Sequence, residues 1–121
     1  MTEHQFSKLI IDHINRAGRF AYKASDRYRS GVPDIYVTGG IWIESKKMEK
    51  KLSYDPRLIL RPTQRAFCDK LVRGGDTVWV AACMVNMHFF ISSWQASDGL
   101  QYYKRDSSTD LASLINKTIL C

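Results

Sequence analysis

Apolar residues recur along this chain at two spacings, which divide it into helices and strands. Phe6, Leu9, Ile10, His13, Ile14 and Ala17 fall on one face at helical spacing and predict a helix from about Glu3 to Ala17. Thr2 and Gln5 are placed to form a capping box, and Gly18 ends the helix. Arg19 to Ala24 alternates, with Phe20 and Tyr22 on one side and Ala21 and Lys23 on the other, as a short strand does. Ile35-Tyr36-Val37 and Ile41-Trp42-Ile43 flank Thr38-Gly39-Gly40 and read as a β-hairpin. Lys47 to Arg57 is charged and without periodicity, and reads as a flexible basic flap. A second helix is expected from Pro62 to about Arg73, stopped by Gly74-Gly75. Thr77 to Met84 is an almost continuous apolar run, the mark of a central strand buried on both faces. A helix leading into such a strand implies a crossover and mixed pairing in the sheet. Met87 to Trp94 and Leu100 to Tyr103 read as further strands, or as a strand and a turn. A last helix spans about Thr109 to Leu120, with Leu111, Leu114, Ile115 and Ile119 on one stripe that packs on the core or meets a second copy.

The hairpin carries polar residues that a half-buried sheet has no need of. With Gly39-Gly40 as a two-residue turn, Ile35 would face Glu44 and apolar and charged side chains would mix. With Thr38-Gly39-Gly40 as the loop, Val37 faces Ile41 and Ile35 faces Ile43, giving one clean apolar face. That register sets Asp34 across from Glu44, with Lys46 two residues on and on the same side. Two carboxylates directly across a strand pair repel each other. A divalent cation between them turns that cost into binding, and Mg²⁺ favours one or two carboxylates completed by water and phosphate oxygens.

Composition narrows the field. The 121 residues suit one domain, and the apolar and charged fractions are those of a globular protein. No apolar run approaches a membrane span and Met1-Thr2-Glu3-His4 is not a signal peptide, so a cytoplasmic location is expected. Cys68, Cys83 and Cys121 are odd in number and widely spaced, which argues for buried free thiols over disulfides or zinc. Lone His4 and His13 lack a second ligand at metal spacing. The net charge is +6, with basic residues concentrated in Arg16–Arg29 and Lys46–Arg73, and favours a polyanionic partner, nucleic acid first.

Pro33-Asp34, followed on the next strand by Glu44-Ser45-Lys46, resembles the signature of the PD-(D/E)XK nucleases. The longer string Gly31-Val32-Pro33-Asp34, with Gln64 opening a downstream helix, is similar to the VRR-NUC branch of that superfamily. The resemblance covers roughly the first two thirds of the chain. It implies an α/β fold with a restriction-endonuclease-like core, a mixed central sheet flanked by helices in the order αβββαβ, in one nuclease domain over residues 1–121. It implies Mg²⁺, with Mn²⁺ as a substitute, held by Asp34, Glu44 and the Ser45 carbonyl. Glu3 either joins that site, directly or through water, or complements its helix dipole. Lys46 would stabilise the transition state or help deprotonate water, and Gln64 would orient water or phosphate. Cleavage would leave 5′-phosphate ends.

The residues expected to contact nucleic acid are Lys23, Arg27, Tyr28, Arg29, Lys47, Lys50, Lys51, Arg61 and Arg65. Nothing in the chain encodes a base-reading element. Small standalone members of the resembled branch are associated with Holliday-junction resolution, often in bacteriophage, so the expected activity is an endonuclease on branched DNA. A homodimer suits paired cuts across a junction. The alternatives are a nuclease of flaps, single strands or ends, and, in other classes, a non-catalytic DNA-binding module or a plain interaction domain.

Overall fold

The computed structural model describes residues 1–24, 30–49, 55–96 and 105–121. The first helix, α1 (Glu3–Arg16), opens with the expected reciprocal cap. The Gln5 N–H donates to Thr2 Oγ1 at 3.1 Å, and the Thr2 N–H donates to Gln5 Oε1 at 2.8 Å. Strands β1 (Ala21–Lys23), β2 (Ile35–Val37) and β3 (Ile41–Lys47) follow, then helices α2 (Pro56–Ile59) and α3 (Pro62–Arg73). Strands β4 (Thr77–Cys83), β5 (Phe89–Ser93) and β6 (Arg105–Ser108) and helix α4 (Leu111–Lys117) complete the described chain.

The six strands lie in sequence order in one sheet, antiparallel except for the β3–β4 pair. That parallel pair is joined through α2 and α3, so the crossover is the one implied by helix followed by apolar strand. The hairpin register pairs Ile35 with Ile43, Tyr36 with Trp42 and Val37 with Ile41. Gly39 and Gly40 take φ of 105° and 79°, which side-chain-bearing residues rarely adopt, so the three-residue loop depends on both.

The register sorts the sheet into two faces. Ile35, Val37, Ile43, Trp79, Ala81, Cys83, Phe89 and Ile91 pack against Phe6, Ile10 and Ile14 of α1 and Leu114 and Ile115 of α4. Val78 and Val80 on the other face pack with Cys68, Leu60 and Trp94, and Trp42 lies against this second cluster. The chain is therefore an α/β fold with a mixed sheet flanked by helices on both sides, in the core order αβββαβ. Among the described residues, no helix is long and apolar enough to cross a membrane.

Three expectations change. The two ends of the segment 47–57 belong to regular elements, and residues 50–54 lie outside the described residues: Lys47 closes β3, and Asp55 caps α2, its side chain accepting from the Arg57 N–H at 2.9 Å. Pro56 starts that helix, because its missing N–H and fixed φ suit a first turn. A strand at Arg105–Ser108 was not expected, since this edge segment of Arg, Asp and Ser lacks an apolar signature. Cys121 is exposed, whereas Cys68 and Cys83 are buried free thiols. The Leu100–Tyr103 segment lies outside the described residues.

Candidate active site

The carboxyl half of β3 carries Glu44, Ser45 and Lys46, and the first turns of α1 and α3 converge on it. Glu3 Oε2 accepts from the Lys47 N–H at 3.3 Å, and Gln64 Nε2 donates to Glu44 Oε1 at 3.3 Å. Two helix N-termini, each partially positive, thus meet around these strand residues.

Alternation along β3 points Glu44 toward α3 and Ser45 toward α1. Asp34, just before β2, sits beside both. Its Oδ2 accepts from the Ser45 N–H at 3.2 Å and from Ser45 Oγ at 3.0 Å. The Ser45 hydroxyl also bonds Ser7 Oγ of α1. A hydroxyl has one proton, and Ser45 spends its proton on an acceptor-only carboxylate, so Ser7 is the donor in that second bond. A chain of hydroxyls from α1 thereby locks one Asp34 oxygen. The N–H and C=O of one strand residue point the same way, so the Ser45 carbonyl also faces the Asp34 side.

Glu44 is 1% exposed. Its Oε2 is buried without a hydrogen-bond partner. The amide holding its other oxygen has only one orientation. The Arg61 N–H donates to Gln64 Oε1 at 2.9 Å, so the amide nitrogen must face Glu44. The Glu44 carboxyl is pushed up from 4.5 to about 9, first by burial and then by the charge of the neighbouring Asp34; Glu3 adds to the rise and Lys46 opposes it. Cys68 lies below Glu44 in the apolar cluster, and burial pushes its thiol up to about 12, so it is packing material.

Gly31 couples the two walls of the site. It has φ +91°, and a Cβ there would sit 2.4 Å from the Thr63 carbonyl oxygen and 3.1 Å from the Gln64 nitrogen. The Gly-Val-Pro-Asp string therefore packs its glycine against the first turn of α3 while its aspartate sits at the start of β2.

A buried carboxylate oxygen without a partner, beside a second carboxylate, fits a small hard cation. Among the described residues, no three His, Cys, Asp or Glu side chains cluster at metal-binding spacing. A cation held by this pair would complete its shell with water and phosphate oxygens, as Mg²⁺ does. Glu3 stands off from the pair, held at the Lys47 N–H, and is felt at Glu44 through its charge.

The structure thus brings Asp34, Glu44, Ser45, Lys46 and Gln64 together. The expected nucleic-acid contacts are more scattered. Lys23 is exposed on the α1 side of the sheet, its Nζ 3.4 Å from His4 Nδ1. Lys47 is half-buried at the end of β3, and Arg61 is exposed at the start of α3. Arg65 Nη1 donates to the Arg57 carbonyl at 2.8 Å, which ties α3 to α2. Arg27, Tyr28, Arg29, Lys50 and Lys51 lie outside the described residues. His13 bonds Asn116 Oδ1 at 2.8 Å, joining α1 to α4. Ser7 was missed by sequence reasoning. Its signal is a polar residue on the stripe Glu3, Ser7, Ile10, Ile14, where helical spacing demands burial.

No family model and no curated protein matches the chain. Among solved structures, it is similar to the Archaeoglobus fulgidus Hjc, a Holliday junction resolvase from an archaeal hyperthermophile, with a TM-score of 0.57 and 16% identity. The match covers 92% of this chain and 98% of that one. At this identity the likeness shows a shared α/β fold, a mixed sheet with flanking helices.

Proposed function

We propose that this chain is a divalent-cation-dependent deoxyribonuclease that cuts phosphodiester bonds in branched DNA. The observation that carries the reading is the Asp34–Glu44 pair, in which Glu44 is buried with Oε2 unpartnered and Asp34 is half-buried, with Lys46 on the same side of β3. The fold likeness to a Holliday junction resolvase supports it, as does the excess of positive charge. The Gly31–Asp34 string and Gln64 favour the VRR-NUC branch, and two cuts across one junction favour a homodimer.

Mg²⁺, or Mn²⁺ in its place, would be held by Asp34, Glu44 and the Ser45 carbonyl, and would acidify a water and neutralise charge on the phosphate. Ser45, backed by Ser7, aims the Asp34 carboxylate, and Gln64 fixes that of Glu44. Lys46 offsets the negative charge that grows on the phosphoryl oxygens, or takes the proton of the attacking water. Water adds to phosphorus as the opposite P–O bond breaks, leaving a 5′-phosphate and a 3′-hydroxyl. Glu3 would add a further carboxylate to the cation's surroundings, directly or through water.

The test is cleavage of four-way, flapped and linear DNA by the purified protein, with Mg²⁺ or with EDTA. The reading expects Mg²⁺-dependent cutting, fastest on branched DNA. Retention of DNA without any cutting would make the chain a binding module instead.

A further inference from the structure

An aromatic row starts beside the acid pair and leaves the covered part of the sheet. Trp42 and Tyr36 meet edge-on with centroids 4.7 Å apart, Tyr36 and Tyr22 lie 5.6 Å apart, and Tyr22 and Phe20 lie 5.4 Å apart. The inner end is anchored. Trp42 Nε1 donates to Asp76 Oδ2 at 2.9 Å, and the Tyr36 hydroxyl accepts from the Gly40 N–H at 3.1 Å. The outer end is open: Tyr22 is 44% exposed and Phe20 58%. The apolar cluster under α3 reaches Trp42, and the row continues beyond it.

The pairing fixes where this row lies. Tyr36 is two residues from Asp34 and Trp42 two from Glu44, so row and acids share one face. Tyr22 pairs with Tyr36, and the Ala24 N–H donates to the Asp34 carbonyl at 2.8 Å. Along β1 the face therefore presents Phe20, Tyr22 and then the small Ala24 beside Asp34. Two residues of strand span about 7 Å, about two base steps along a DNA strand at 3.4 Å each.

We propose that Tyr22 and Phe20 form a stacking platform for an unpaired DNA base, one or two nucleotides from the cut phosphate at a branch point. This rests on the nuclease reading and specifies which feature of branched DNA its site engages. Aromatic faces stack on any base, which suits a chain with no base-reading element. Cationic side chains lie at both ends of the track, Arg19 by the hairpin loop and Lys46 beyond the acids. The offered area also argues for a base over a second copy. An aromatic side chain buries 150–250 Å², so two at about half exposure offer roughly 200 Å², against roughly 800 Å² per partner in a standard interface.

The experiment uses a forked DNA with 2-aminopurine at the unpaired position next to the branch, the matching paired duplex, and EDTA to hold off cutting. Wild-type protein is expected to quench the fork's fluorescence. The Tyr22→Leu, Phe20→Leu double variant should lose the quenching and about tenfold to a hundredfold in fork affinity, with duplex affinity and circular dichroism unchanged. Tyr22→Trp should keep both signals. A double variant with wild-type quenching and affinity, an equal loss on the duplex, or a dimer-to-monomer shift on gel filtration would overturn the platform. Each of these leaves the nuclease reading intact if wild-type protein cuts forks with Mg²⁺. Wild-type protein that neither binds nor cuts the fork overturns both.

Discussion

Replacing Glu44 by Gln should stabilise the cation-free protein, and increasingly so as pH rises. Glu44 takes up a proton on folding at any pH between its ordinary 4.5 and its folded value of about 9. Its contribution is therefore fully present below pH 4.5 and is lost progressively as pH climbs toward 9. At pH 7 the gap to 4.5 is 2.5 pH units, which at 1.36 kcal/mol per unit is about 3 kcal/mol. Gln is isosteric, carries no proton to bind, and its NH₂ donates to Asp34 where the protonated acid would. Its oxygen still accepts from Gln64. The variant should match wild type near pH 5 and exceed it by about 3 kcal/mol at pH 7, a rise in Tm on the order of 10 °C for a chain of this size. Thermal melts in EDTA at pH 5, 6, 7 and 8, followed by circular dichroism, measure the difference directly. Adding Mg²⁺ should raise the wild-type Tm at pH 8 and leave Glu44→Gln nearly unmoved. A variant less stable than wild type at pH 8, or a difference that stays constant with pH, would refute a proton shared at this acid pair.

The same acids make Mg²⁺ binding proton-linked. Affinity should rise toward tenfold per pH unit between pH 6 and 8.5 and level off above about 9, with about one proton released per ion in calorimetry across buffers. Gly31→Ala should cost about 3 kcal/mol or more in denaturant unfolding, because φ +91° and a Cβ 2.4 Å from the Thr63 carbonyl both oppose a side chain. Lys46→Ala should keep the wild-type circular dichroism and Tm within about 1 kcal/mol, as a half-exposed substitution does, while cleavage of branched DNA falls below detection; full activity would remove Lys46 from the mechanism.

The hairpin was legible because only one register separates Ile35, Val37, Ile41 and Ile43 from Asp34 and Glu44, and the pairing observed is that register. The central strand declared itself by its unbroken apolar run and the helices by their caps. Asp34 was placed by extending the register, but its bond to the Ser45 N–H was not foreseeable, since it replaces a backbone pairing that the pattern assumes. The contacts that Ser7 and Gly31 make at the site were illegible for a shared reason, although Gly31 belonged to the string that carried the resemblance. Both act across long sequence separations, Ser7 through a hydroxyl contact and Gly31 through the absence of a side chain against α3. The strand at Arg105–Ser108 escaped because an edge strand of Arg, Asp and Ser has the composition of a loop. The exposed end of the aromatic row was visible as alternation in Phe20 and Tyr22, yet its exposure depends on how far α3 reaches across the sheet, which no local pattern encodes.

The central claim is that Asp34 and Glu44 together hold a divalent cation. A crystal soaked in Mn²⁺ near pH 8, measured at the manganese edge, tests it most directly. The account predicts an anomalous peak between the two carboxylates, lost in a Glu44→Gln crystal soaked alongside. An ordered acid pair with no peak between its oxygens, or a peak that survives the substitution, would contradict it.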